Sequence, residues 1–344
     1  MYPLTAGKLT LWRRLKHESE LAALVGVHLT KVVLMKSNPL YTDYRIKKNS
    51  GGFREIEDPC PVLKKIQRGL NGYLQLEYSS CRPQASHGFC VALPKEEIPR
   101  GIKSNALCHL GNPYMMNFDF KDFFHQIHSE QIHKILKEQF PEQHSDLRTT
   151  LIRLTTRNDR LPMGAPTSPV LSNFACIHLD EELDSICRAS SITYTRFADD
   201  LTFSSKKVIE SVELKMIRDC INNHGFQINE QKYKYSGPGN EKIVTGIVLE
   251  NDRLGLPKTF LSQLRNEIER YNHVLMVESR YKTGMSHKKL KLFEQELQGK
   301  LSFATEILFP DDPVLLELRR EFEHLLNSPE DFELTNWLDI PYNF

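Results

Sequence analysis

Along residues 192–204, apolar and aromatic side chains (Ile192, Tyr194, Phe197, Leu201, Phe203) are interleaved with Thr193, Thr195 and Thr202. Aromatic and β-branched residues in this pattern suit a pleated, half-buried surface, so the stretch predicts a strand, a tight turn and a second strand. Residues 114–118 predict a further short apolar strand that runs into Asp119. Helical spacing dominates elsewhere. Leu9, Leu11, Trp12, Leu15, Leu21, Leu24 and Val25 predict an apolar helical face over 9–35, with Arg13, Arg14 and Lys16 beside it. A hairpin is expected over 41–56, around the Gly- and Lys-rich stretch 47–52, followed by a helix through Leu63, Ile66 and Leu70. Residues 129–150 and 206–224 each predict a helix, the second ending at Gly225. Between them, 161–169 holds three prolines and one glycine. Its end, Ser168-Pro169, predicts a helix start with Ser at the N-cap and Pro at the first helical position. Leu171, Phe174, Ala175, Leu179, Leu183 and Ile186 give that helix its stripe. An apolar strand interrupted by Thr245-Gly246 is expected over 243–249. From Pro257 the pattern is helical, with one stripe of Leu261, Leu264, Ile268 and Tyr271 and another of Leu290, Phe293, Leu297 and Leu301.

Length and composition narrow the class. At 344 residues there is room for about two domains, or one domain with subdomains. Forty per cent hydrophobic and 26% charged residues are the composition of a globular protein. No apolar run approaches the ~18 residues that span a bilayer, and 1–8 lacks the apolar core of a secretory leader. No membrane partner is therefore expected. Seven cysteines, an odd number without a CxxC pair, read as reduced thiols and a cytoplasmic setting. His87, Cys90, Cys108 and His109 offer zinc-type ligands but lack the paired spacing of a zinc site. The net charge of +1 hides an asymmetry: 1–110 carry 17 basic against 9 acidic residues, and 309–344 carry 2 against 9. A basic N-terminal part suits a nucleic-acid backbone. The acidic tail suits solvent or a protein partner, and beyond Ser328 it holds no interpretable motif.

Two adjacent aspartates, Asp199 and Asp200, fall at the turn of the predicted hairpin. Neighbouring carboxylates repel, and neither is easily buried without a partner. A solvated turn is one way out, since Asp is a common turn residue. A divalent cation held by oxygen ligands is the other. Asp119, at the end of a separate strand, adds the third carboxylate of a two-metal phosphoryl-transfer site. In such a site one ion activates the attacking hydroxyl and the other stabilises the leaving pyrophosphate.

The order is a strand with Asp119, the 161–169 turn with its helix, then the Ala198-Asp199-Asp200 hairpin. It resembles the palm of a reverse transcriptase over roughly residues 40–250. The resemblance implies an α+β right-hand polymerase with an antiparallel palm sheet: N-terminal helices and fingers over 1–110, palm over 111–250, and a helical thumb with the acidic tail over 251–344. It implies RNA-directed DNA synthesis in which Asp119, Asp199 and Asp200, with the Phe120 carbonyl, hold two Mg²⁺ ions. By the same likeness Arg54, with Lys64 and Arg68, would hold the dNTP triphosphate. Phe124, five residues after Asp119, would exclude a 2′-hydroxyl by shape, although Phe123 and Phe124 face opposite ways if extended and one of them then belongs to the core. Met163 and Gly164 would lie against the templating pair or incoming nucleotide. Lys232 matches a lysine that protonates pyrophosphate, and a plain surface lysine is the alternative. Arg265, Arg270, Lys288, Lys289 and Lys291 would suit a thumb gripping a duplex backbone, or simply a solvated helical bundle.

Asn105-Ala106-x-x-His109 and Val244-Thr245-Gly246 further resemble signatures of bacterial retron reverse transcriptases. For Asn105 and His109 a local role in bonding a loop backbone stands beside RNA contact. For 244–246 a plain hairpin does. The retron likeness implies a cognate structured RNA that is copied into cDNA and primed from a guanosine 2′-hydroxyl, giving a branched RNA–DNA molecule. It also implies antiphage defence with a separate effector protein. A CRISPR-associated or group II intron-like reverse transcriptase, a nucleotidyltransferase with another template, and a non-catalytic RNA-binding scaffold are the alternatives. Three converging acids beside a phosphate backbone speak against the scaffold.

Overall fold

The computed structural model describes residues 6–47, 51–93, 96–281 and 287–327. At its N-terminal end, turn residues divide what apolar periodicity joins. The helix expected over 9–35 is three: α1 (Ala6–Arg13), α2 (Glu18–Val25) and α3 (Leu29–Ser37). Gly26 ends α2 in the left-handed region at φ 66°, a conformation a glycine adopts without steric penalty. The Glu20 carboxylate accepts from the backbone N–H groups of Lys16 and His17, satisfying donors that the start of α2 leaves free.

The expected hairpin forms between β1 (Tyr41–Lys47) and β2 (Phe53–Pro59), in register from Tyr41↔Pro59 to Lys47↔Phe53. Pro61 opens α4 (Pro61–Cys81), which buries Leu63, Ile66 and Leu70. Next come α5 (Ile102–Leu107), β3 (Tyr114–Asp119) and a 3-10 turn (Phe123–Gln126). The helix expected over 129–150 is two, α6 (Ser129–Gln139) and α7 (Ser145–Thr155). Pro141 lies in the break and cannot donate to a helix running through it.

The long helix after 161–169 is also two, α8 (Ser168–Ala175) and α9 (Ile177–Ala189). Its start is one residue earlier than expected. Thr167 is the N-cap and Pro169 the second helical residue, while the Ser168 hydroxyl donates to the Pro162 carbonyl at 2.7 Å. The predicted strand, turn and strand form as β4 (Ile192–Phe197) and β5 (Asp200–Ser205). Then follow α10 (Ser211–Asn223), a 3-10 turn (Glu230–Lys232) and β6 (Lys234–Ser236).

The central sheet has the order β4-β5-β3-β6 and is antiparallel throughout. Its core joins Phe118 and Phe203 to Leu63, Ile66 and Leu70 of α4 and to Leu179 and Leu183 of α9. Each such side chain contributes roughly 1.5–3 kcal/mol on leaving water. This sheet holds the ends of β3 and β5 in place for the chemistry below.

The chain divides into two compact units, Met1–Glu241 and Lys242–Phe344. The second opens with β7 (Lys242–Val244), β8 (Ile247–Leu249) and β9 (Leu254–Gly255). The expected interrupted strand is in fact a hairpin. Thr245 and Gly246, at φ 48° and 83°, form its two-residue turn, and positive φ at both positions is what a type I′ turn requires. Three helices follow: α11 (Lys258–Tyr281), α12 (His287–Ile307) and α13 (Pro313–Asn327). The predicted stripes meet in a separate core of Leu264, Ile268, Tyr271, Leu297 and Leu301, joined by Leu318 and Phe322. Among the described residues no helix is long and apolar enough to cross a membrane. The part of the acidic tail from residue 328 on lies outside the described residues.

Candidate active site

Antiparallel pairing of β3 and β5 sets Asp119 directly opposite Asp200, with Asp199 one residue back on the turn. The Phe120 N–H donates to the Asp199 carbonyl at 3.0 Å and locks that turn to the end of β3. Asp119 is buried. Asp200 keeps exposed surface, yet the crowding of protein around its carboxyl, the charges of Asp199 and Asp119, and a shared hydrogen bond with Asp119 push it up to about 7. Burial and the charge of Asp119 raise Asp199 as well. These acids repel one another, and they offer only oxygen donors, the chemistry that hard divalent cations take. One cationic group already compensates them: Lys232 Nζ donates to Asp119 Oδ2 at 2.6 Å. Partial burial works against that ammonium, yet its bond to Asp119 and the three negative charges hold its pKa above the ordinary value.

The turn bearing Asp199 rests on a buried network that the sequence reading did not single out. Arg196 is wholly buried in β4. Its Nε and Nη2 donate to Asp180 at 2.8 and 2.7 Å, and its Nη1 donates to Asn173 Oδ1 and to the Ala198 carbonyl at 3.1 and 3.0 Å. Burial alone would lower the guanidinium pKa, but the Asp180 carboxylate holds it well above its ordinary range. Ala198 sits at φ 59°, strained for a residue with a Cβ, so a bond to its carbonyl bears on the turn directly. Gly88 closes in from the other side, where a Cβ would lie 2.4 Å from the Ala198 nitrogen. The available signals were an arginine inside a strand pattern and an aspartate beside the apolar stripe of α9.

In front of the acids lies a cleft of about 550 Å³. Of the residues expected to meet a nucleotide, Arg54, Phe124, Met163 and Lys232 line it together with Asp119, Phe120 and Asp199. Phe123 takes the core position, 4% exposed and stacked on Phe120, while Phe124 is half-buried and stacks on Phe89. Gly164 touches the β1–β2 hairpin: a Cβ there would come within 3.0 Å of the Glu57 carbonyl oxygen. Lys64 and Arg68 stand apart from this cleft. Lys64 Nζ pairs with Asp58 at 2.5 Å, and Arg68 is exposed on α4.

The expected RNA contacts divide. His109 is fully buried, its Nδ1 2.7 Å from Ser204 Oγ and its Nε2 2.6 Å from Thr195 Oγ1. Asn105 is buried too. Both face the interior, because α5 packs on β4, and a direct RNA contact would require this part of the core to open. The zinc-type set does not converge, since both His109 nitrogens are turned to hydroxyls and His87 Nδ1 to Ser104 Oγ. Val244 is buried beneath its turn, whereas Gly246 is exposed. Arg265 is paired with Glu317 at 2.6 Å, and Arg270 lies over the Phe293 ring. Lys288, Lys289 and Lys291 are exposed at the start of α12.

Residues 46–247 match the family described as Reverse transcriptase (RNA-dependent DNA polymerase). The Retron Ec83 reverse transcriptase of Escherichia coli is 30% identical over 301 residues, covering 83% of this chain and 88% of that protein. The Retron Mx65 reverse transcriptase of Myxococcus xanthus is 29% identical over 345 residues, covering 91% and 72%. Among solved structures, apo telomerase from Candida tropicalis aligns with a TM-score of 0.51 at 13% identity. That alignment covers 88% of this chain and 62% of the telomerase chain, and it shows the shared right-hand polymerase fold.

Proposed function

The chain belongs to the reverse transcriptases of bacterial retrons, and from this premise we propose that it is an RNA-directed DNA polymerase whose site is the cleft headed by Asp119, Asp199 and Asp200. The observation that carries the assignment is the β3–β5 register, which opposes two carboxylates at the mouth of a cleft lined by Arg54 and Phe124. Enzymes of this family use divalent metal ions. Two Mg²⁺ ions bound by the three aspartates and the Phe120 carbonyl would acidify the primer hydroxyl and neutralise the leaving pyrophosphate. The protein's own groups do the rest. Arg54 faces the triphosphate, the Phe124 ring fills the space a 2′-hydroxyl would need, and Met163 and Gly164 border the base pair. Lys232 Nζ holds a proton beside Asp119, within reach of a leaving group there.

We read residues 1–110 as N-terminal helices and fingers, 111–250 as palm and 251–344 as thumb and tail. The compact units part at Glu241, so β7 and β8 group with the helices that follow. Retron membership supports a cognate structured RNA as template, priming from a guanosine 2′-hydroxyl to give a branched RNA–DNA molecule, and antiphage defence with a separate effector. Lys288, Lys289 and Lys291, exposed at the start of α12, would meet an RNA backbone.

Primer extension on an RNA template tests the site. Asp199→Asn with Asp200→Asn should abolish dNTP incorporation and leave RNA binding within a few-fold, because the change removes metal ligands and no basic contact. Full activity in that variant would refute the assignment.

A further inference from the structure

Glu57 is a buried carboxylate, 6% exposed, on a strand whose other side chains mostly face outward. Two of its partners, Met163 and His125, line the nucleotide cleft, and two, Arg157 and Arg160, line the neighbouring pocket that Glu57 itself borders. Its Oε2 accepts from the Met163 N–H at 3.1 Å and lies 3.0 Å from His125 Nε2. Its Oε1 takes Arg157 Nη1 at 3.3 Å and lies 3.5 Å from Arg160 Nη2. Its own N–H donates to the Met163 carbonyl at 2.7 Å, so Met163 is held at both ends of its peptide frame. His125 directly follows Phe124, and Arg54 lies three residues before Glu57 on the same strand.

We propose that Glu57 is a positioning residue for nucleotide selection: its single carboxylate fixes β2, the Met163-Gly164 turn and the Phe124-His125 turn relative to one another, and so sets the width of the nucleotide cleft. This rests on the reading of that cleft as the dNTP site. Burial and charge explain why the residue is glutamate. A carboxylate offers about four acceptor directions, and here they go to Met163, to His125 and to the two arginines of the Arg157–Arg160 turn. A neutral amide cannot accept from all of them, because half of its polar atoms donate. Glu57 touches no reacting group, so its effect should reach the reaction through the walls it holds. A purely supportive role would lower stability and leave nucleotide preference alone.

Steady-state primer extension with dNTPs and rNTPs on purified full-length protein separates these roles, using Glu57→Gln, His125→Gln, Phe124→Ala and Asp43→Asn. Asp43 pairs with Arg157 on the outer, exposed side of the same network. Glu57→Gln should raise KM for dNTP about tenfold, as loss of a hydrogen bond to a charged group would, with kcat changed little. It should also reduce dNTP-over-rNTP preference. His125→Gln should lower that preference without disturbing β2, which keeps the proposal testable if Glu57→Gln folds poorly. Asp43→Asn should match wild type. If Glu57→Gln and His125→Gln keep wild-type KM and preference while Phe124→Ala loses preference, the proposal falls and the cleft assignment stands. If Phe124→Ala is silent as well, both fall. If Asp43→Asn shifts KM as far as Glu57→Gln does, the network is only structural and the proposal falls.

Discussion

Asp180 lies on α9, one helix away from the acids, yet its loss should be felt at the turn. Asp180→Asn leaves the buried Arg196 guanidinium uncompensated, and removing one partner of such a pair costs about 3–5 kcal/mol. Thermal unfolding should show that loss, and polymerase activity should fall with it, because Arg196 also holds the Ala198 carbonyl. Two buried histidines make a separate prediction about pH. Burial pushes His109 and His87 from an ordinary 6.5 down to about 3. Between those values the unfolded chain takes up protons that the folded chain refuses. Stability is therefore complete above about pH 6.5 and declines as the pH falls below it. Each histidine should account for about 1 kcal/mol at pH 5.5. Denaturant titrations at pH 7.5 and 5.5 should show a smaller pH difference in His109→Gln than in wild type. At this scale the sequence exposed what is chemically odd, such as adjacent aspartates at a turn. It hid what is odd only once folded: nothing in Asn105-Ala106-x-x-His109 says that the ring points inward to two hydroxyls. Nor could Phe123 be told from Phe124 until a 3-10 turn, and no strand, was seen to carry them.

Among elements, the hairpin that bears the proposed catalytic aspartates is a composite of β4, β5 and a flanking segment. Ala85 and His87 pair with Arg196 along the free edge of β4, and this brings Gly88 against Ala198. Gly88→Ala would place a methyl group 2.4 Å from a backbone nitrogen, which no side-chain movement relieves. Displacing reacting groups by an ångström can cost on the order of 100-fold in rate. Gly88→Ala should accordingly reduce kcat by about that much while circular dichroism stays native, and an active variant would show the contact to be slack. Strands and stripes were readable because period-2 and period-3.6 burial is written in residue type. Helix breaks at Gly26 and Pro141 were missed because apolar spacing continues across them. The Thr245-Gly246 turn was read first as the interruption of one strand, with a hairpin as the alternative, because apolar residues flank it closely on both sides.

Across the molecule, the evenly balanced charge conceals a basic N-terminal part and an acidic tail, and the proposed branched product turns on what the protein carries. The template lies in a partner rather than in the chain, which is why sequence and fold together reach the polymerase chemistry more directly than the priming step. The most direct measurement is a denaturing gel of nucleic acid co-purifying with the protein expressed from its native locus, run before and after RNase and DNase, beside Asp199→Asn/Asp200→Asn. The account predicts a DNA band that shifts on RNase treatment and is absent from the double variant. A band of the same mobility in both proteins, or no DNA with the wild type, would contradict it.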